Sequence, residues 1–214
     1  MRIWNQEPIV GMVTCPRDVD YSKETLANLS DWNIVPTIHH DDNKEGPVPA
    51  WFECLKLLVR RASKMASDPP IMILQDDLEF VLYPGCFLSF PERENSLLSL
   101  FTVNRPETVH KGWCRANTED ARRRKVECDG GLAFAMGYRT AVDLLCSYED
   151  DLFIGHSPIT NLPELLGEYC ARTGLDYYIA PMNCVKHTGE VPARDGYPDG
   201  FKWNTNQERP KARL

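Results

Sequence analysis

The sequence predicts a single-domain α/β protein built on a mixed, largely parallel sheet flanked by helices. Three observations lead there. In the first half, short apolar runs that read as strands alternate with segments whose apolar residues fall at helical spacing, the pattern of strands joined by crossover helices. The second half mixes short strands with long polar loops. The chain has 214 residues, 43% of them hydrophobic, which suits one sizeable core, and no segment reads as a repeat or a domain linker.

Pro8 to Thr14 reads as a first buried strand, and Cys15 to Asp20 as a loop. Ser22 is a candidate N-cap for a short helix over Glu24 to Leu29. Asn33 to His40 reads as a second strand, which Pro36 assigns to an edge or a bulge. A polar loop from Asn43 to Pro49 leads to a helix over about Ala50 to Ala66, with Trp51 in its apolar, core-facing stripe. Ile71 to Leu74 is the central strand. Ser96 to Val103, Gly130 to Gly137 and Asp176 to Ala180 are further strands, and Tyr138 to Tyr148 and Leu162 to Thr173 are helices. Residues 1–190 are expected to form the domain and residues 191–214 a polar tail.

Charge and cysteine usage narrow the classes. The net charge of −7 argues against broad adhesion to nucleic acid, and the run Arg122-Arg123-Arg124-Lys125 is a local exception inside a polar loop. No run of eighteen apolar residues is present, so no membrane span is expected. The eight cysteines are scattered, with no CxxC pair, and read as reduced, mostly buried thiols of a cytoplasmic protein.

The chemistry gathers where the strands end. Ile71-Met72-Ile73-Leu74 runs into Gln75-Asp76-Asp77, and carboxylates at the C-terminal end of a buried strand sit where open α/β sheets bind ligands. Alternation sends Asp76 and Asp77 to opposite sides if the strand stays extended, so one can meet a cation while the other orients the surroundings. Hard oxygen ligands of this kind suit Mg2+ or Mn2+ on a diphosphate, with Asp77 expected to face solvent. The plain alternative is a turn with acidic caps. Asp41-Asp42 closes the second strand in the same way, and His187 follows the last one. Cys184-x-x-His187 has no second Cys/His pair at zinc spacing.

This order of motifs resembles the GT-A glycosyltransferases, single-domain Rossmann-like enzymes that bind a nucleotide sugar over a divalent metal. Gln75-Asp76-Asp77 matches the family's Asp-rich motif. Lys186-His187-Thr188-Gly189 resembles its late histidine motif, and Val13-Thr14-Cys15-Pro16-Arg17 its first nucleotide-contacting loop. Leu98 to Thr102 with Gly112-Trp113, and Leu166-Gly167 with Gly174-Leu175, are similar to a bacteriophage subgroup that glycosylates hydroxymethylated pyrimidines in DNA. The resemblance implies Mn2+ or Mg2+ held by Asp77 and His187. It implies a nucleotide-sugar donor, expected as a UDP-sugar, contacted by Thr14, Pro16, Arg17, Asp41, Asp42, Gln75 and Asp76. It also implies a hydroxyl acceptor, with Arg122 to Lys125 available to hold DNA.

The base departs from the family pattern. Inverting members carry an acid at the start of the late helix, where this chain reads Asn161-Leu162-Pro163-Glu164, so Glu164 or Asp151 is expected to serve. A retaining enzyme would not need that base. Two other readings compete: a nucleotidyltransferase, which would want glycines in the Thr14 to Arg17 loop, and a non-catalytic α/β binding module in which the acidic pairs only cap strands.

Overall fold

The computed structural model describes residues 7–15, 20–43, 46–80, 96–101, 113–116, 133–149, 162–180 and 184–188. In chain order the elements are β1 (Ile9–Thr14), α1 (Ser22–Asp31), β2 (Thr37–His40), α2 (Pro47–Ala62), β3 (Ile71–Gln75), β4 (Leu78–Phe80), β5 (Ser96–Ser99), β6 (Cys114–Arg115), β7 (Ala133–Met136), α3 (Tyr138–Glu149), α4 (Leu162–Thr173), β8 (Asp176–Ile179) and β9 (Val185–His187).

Seven of these strands form one sheet in the order β2-β1-β3-β7-β5-β8-β6. β1 pairs parallel with both β2 and β3, and β5 pairs parallel with β8. β7 and β6 run against their neighbours. The sheet is therefore mixed and largely parallel, as expected. β4 and β9 form a separate antiparallel ribbon.

The alternation along β3 sorts the core into two layers. Ile71 and Ile73 pack with Trp51, Leu55 and Leu58 of α2, Leu144 of α3 and Leu165 of α4. Met72 and Leu74 face the other way, toward Leu29 of α1 and Leu78, Phe80 and Val185 of the β4–β9 ribbon. The topology explains why α1 and α2 lie on opposite faces. The chain steps from β1 out to β2 and then back past β1 to β3, and right-handed crossovers in opposite directions must cover opposite faces.

β1 and α2 approach closely at Gly11, where a side chain would meet Cys54 and Leu58. Trp51 is core, as expected, with edge-on contacts to Phe52 and Phe134. Burial pushes the Cys54 thiol up to about 12, which leaves almost no reactive thiolate at neutral pH. Native iodoacetamide labelling with peptide mapping is accordingly expected to modify exposed Cys146 and spare Cys54 until the protein is denatured. Equal labelling of both in native buffer would contradict the packing of α2 on β1.

Several boundaries differ from the sequence reading, each for a physical reason. α2 begins at Pro47 rather than Ala50, because proline suits the first helical turn, where N–H groups have no helical partner. β2 begins after Pro36, and it is an edge strand. Ser22 is the first helical residue and not the cap; Tyr21 holds the cap position without a side-chain bond, and Asp20 Oδ1 accepts the Ser22 N–H at 3.1 Å.

Candidate functional site at the carboxyl edge of the sheet

The strand order β2-β1-β3 places a topological switch point between β1 and β3. Their C-terminal ends are the crevice where ligands bind in sheets of this kind. Val13 lies beside Gln75 and Thr14 beside His40, so Thr14, His40, Gln75 and the turn after β3 share one edge. Backbone pattern and strand order reach this location without the acidic motif, and the motif falls on it.

Asp76 and Asp77 occupy a bend between β3 and β4. Both are buried, at 4% and 5% exposure, which corrects the expectation that Asp77 faces solvent. The reason is β9. Its residues 185–187 pair with β4, setting His187 opposite Leu78 and closing over the bend. Thr188 N–H donates to the Asp77 carbonyl oxygen at 2.8 Å, and His187 Nε2 lies 3.1 Å from Asp77 Oδ2. The middle rung of the ribbon is the exposed pair Lys186–Glu79, 2.5 Å apart. Exposed ion pairs typically contribute about 0–1 kcal/mol, so Glu79→Gln is expected to leave thermal unfolding nearly unchanged.

The Asp77–His187 spacing fits a divalent cation. Bonds of about 2.1 Å put neighbouring corners of an octahedron about 3 Å apart, and a carboxylate oxygen with an imidazole nitrogen suits Mn2+. Among the described residues no cluster of three or more His, Cys, Asp or Glu forms a fuller cage, so remaining positions would fall to water and a ligand's phosphates.

The other predicted residues distribute unevenly. Thr14 is buried, and its Oγ1 lies 2.8 Å from His40 Nδ1. Asp41 is 3% exposed, and its Oδ2 accepts the Gly46 N–H at 3.2 Å, bracing the turn into α2; Asp42 beside it is exposed. Glu164 lies half-buried in the first turn of α4. α4 ends just before β8 begins, so its first turn points toward the edge that holds Gln75 and Asp77. Pro16, Arg17, Asp151 and Arg122 to Lys125 lie outside the described residues.

The start of α2 offers little to an anion. Pro47 and Pro49 have no N–H, the Gly46 N–H is taken by Asp41, and the Ala50 N–H goes to the Gly46 carbonyl. The positive end of a helix is a common phosphate cradle, and here most of its donors are missing or used.

Sequence reasoning missed His40, Thr25 and Asn28. His40 was visible only as one of two histidines closing a strand. Thr25 and Asn28 sit in α1 but bond to the backbone 51 to 53 residues away, which no local pattern reveals.

Sheet order and edge together define a Rossmann-like mixed α/β fold. Among solved structures the chain is similar to a glycosyltransferase involved in the glycosylation of the major capsid of PBCV-1. That match has a TM-score of 0.53 and 10% identity, over 88% of this chain and 97% of that one. It also matches the CTP:phosphocholine cytidylyltransferase of Streptococcus pneumoniae, at TM-score 0.43 and 11% identity over 87% and 96% of the two chains. A third match is the inositol-1-phosphate CTP transferase of T. maritima, at TM-score 0.39 and 12% identity over 79% and 64%. At such identities the likeness is one of fold. No family model matches the chain, and no curated protein sequence matches it. Among the described residues no helix is long and apolar enough to cross a membrane.

Proposed function

We propose that the protein is a divalent-cation-dependent glycosyltransferase that moves a sugar from a nucleotide-sugar donor, a UDP-sugar in the first instance, to a hydroxyl acceptor. The observation that carries this reading is the Asp77–His187 pair, two residues 110 apart in sequence that meet at the switch point with 3.1 Å between ligand atoms. Asp77 and His187 would hold Mn2+ or Mg2+, which supplies positive charge to the leaving diphosphate. The start of α2 is poor in donors, and Arg17 is proposed as a second source of that charge.

Thr14, His40 and Gln75 line the edge between β1, β2 and β3, where a nucleoside would lie, and Pro16, Asp42 and Asp76 complete the proposed donor site. Glu164, or Asp151, removes the proton from the acceptor hydroxyl as its oxygen attacks the anomeric carbon and the bond to the diphosphate breaks. The acceptor reading extends to DNA carrying hydroxymethylated pyrimidines, gripped by Arg122 to Lys125.

The test is a titration of Mn2+ into parent and His187→Ala, followed by UDP release from UDP-sugars with and without such DNA. The imidazole's loss is expected to weaken Mn2+ binding at least about 10–100-fold, with activity partly restored at high Mn2+. A parental midpoint would put His187 outside the coordination sphere. Pyrophosphate release from a nucleoside triphosphate and a sugar phosphate, without UDP release, would reassign the same edge to nucleotidyl transfer.

A further inference from the structure

We infer that Thr25 is the positioning residue of this site: its buried hydroxyl holds the bend that aims the Asp77 carboxylate at His187. Thr25 lies on α1 at 1% exposure. Its Oγ1 is 2.7 Å from the Asp76 carbonyl oxygen and 2.8 Å from that of Leu78, and it accepts the Leu78 N–H at 3.3 Å. Asp76 and Leu78 flank Asp77, so one hydroxyl grips the chain on both sides of the proposed ligand. One helical turn on, Asn28 Oδ1 accepts the Phe80 N–H at 2.9 Å and extends the grip along β4.

The bend is held from two directions. Carbonyls 76 and 78 turn toward α1, while carbonyl 77 turns toward β9 and takes the Thr188 N–H. Buried carbonyls require donors, and the pairing of β3 with β1 and β7 runs only as far as Gln75 and Leu74. The Thr25 hydroxyl has one proton, given to one of carbonyls 76 and 78 or shared between them, while its oxygen accepts the Leu78 N–H. Valine has nearly the shape of threonine but no donor or acceptor, so it would leave these groups to find new partners by shifting the bend. Serine keeps the hydroxyl and loses only a methyl. With the backbone loosened, the Asp77 Oδ2–His187 Nε2 spacing is no longer fixed, although the Thr25 hydroxyl acts on the backbone on either side of Asp77.

The link to metal rests on the function proposed above, and the experiment separates the two. Full-length parent, Thr25→Val and Thr25→Ser are titrated with Mn2+ alone by calorimetry, and the exchange rate of the Thr188 amide is measured without metal. Thr25→Val is expected to weaken Mn2+ binding about tenfold or more, the usual cost of losing a group that orients a ligand, while Thr25→Ser stays within about twofold of the parent. The Thr188 amide should exchange about tenfold faster in Thr25→Val and at the parental rate in Thr25→Ser. Both changes are required: faster exchange with parental Mn2+ affinity, or weaker affinity with parental exchange, overturns the proposal. If the parent binds no Mn2+, the metal reading falls by itself; exchange then decides alone whether Thr25 holds the Asp77 bend. Thr25→Ala, which leaves room for water in place of the hydroxyl, is measured under the same criteria should the valine variant fail to fold.

Discussion

Asp77→Asn is expected to lower Mn2+ affinity by at least about 100-fold and to remove donor cleavage at ordinary Mn2+ concentrations, with the fold retained. Asparagine has the size of aspartate, and its amide can still hydrogen-bond the His187 ring, so the β4–β9 ribbon keeps its contact. What it loses is the charge, and a neutral amide is a poor partner for a hard dication. The choice of asparagine follows from burial. A solvent-facing carboxylate could be cut back to alanine without consequence, but Asp77 is 5% exposed beneath β9, and truncation there would leave a gap as well as a missing ligand. Calorimetry with Mn2+, paired with urea unfolding, checks both halves. An Asp77→Asn protein that binds Mn2+ like the parent would remove the metal site from this edge.

Gly11→Ala is expected to destabilise the protein by about 3 kcal/mol or to prevent folding, the upper range for an overpacked core. A Cβ at Gly11 would sit 2.6 Å from Cys54 Sγ and 2.7 Å from Leu58 Cδ1. Both side chains belong to α2 and are fully buried, so neither can move aside without disturbing its neighbours. Adding Cys54→Ala removes the sulfur from the conflict and should recover part of the loss, while Leu58 keeps the rest. A double-mutant cycle in urea then reports a combined loss smaller than the sum of the two single losses, a coupling between positions 11 and 54. Parental stability of Gly11→Ala would mean that α2 does not press on β1 as closely as the structure shows.

The readable parts of the sequence were those whose cause is local. β1, β3 and β7 stand out as apolar runs, α3 and α4 as periodic segments, and the acidic end of β3 needs only its ten residues to be noticed. β4, β6 and β9 were not readable, because strands of two or three residues carry no periodicity and exist only through their partners. The start of α2 was obscured by Gly46, Pro47 and Pro49, which favour loops and first helical turns alike. His187 could be picked out beside its Thr-Gly neighbours, yet its closure over Asp77 could not, since that depends on pairing across 110 residues. Thr25 looked like any polar helix residue; its importance comes from where the chain returns.

That same separation sets an order of events during synthesis. At about 5–20 residues per second, His187 leaves the ribosome roughly 5–20 s after Asp77. Through that interval β1, α1, β2, α2 and β3 can already pair and pack, while the bend after β3 still lacks the strand that covers it. The scaffold and the proposed metal centre are thus separated in time, and the centre is among the last parts of the described fold to be completed. A nascent chain halted before Val185 would carry Asp77 in a bend without its histidine, and the two proposed ligands would come together only when β9 closes the ribbon.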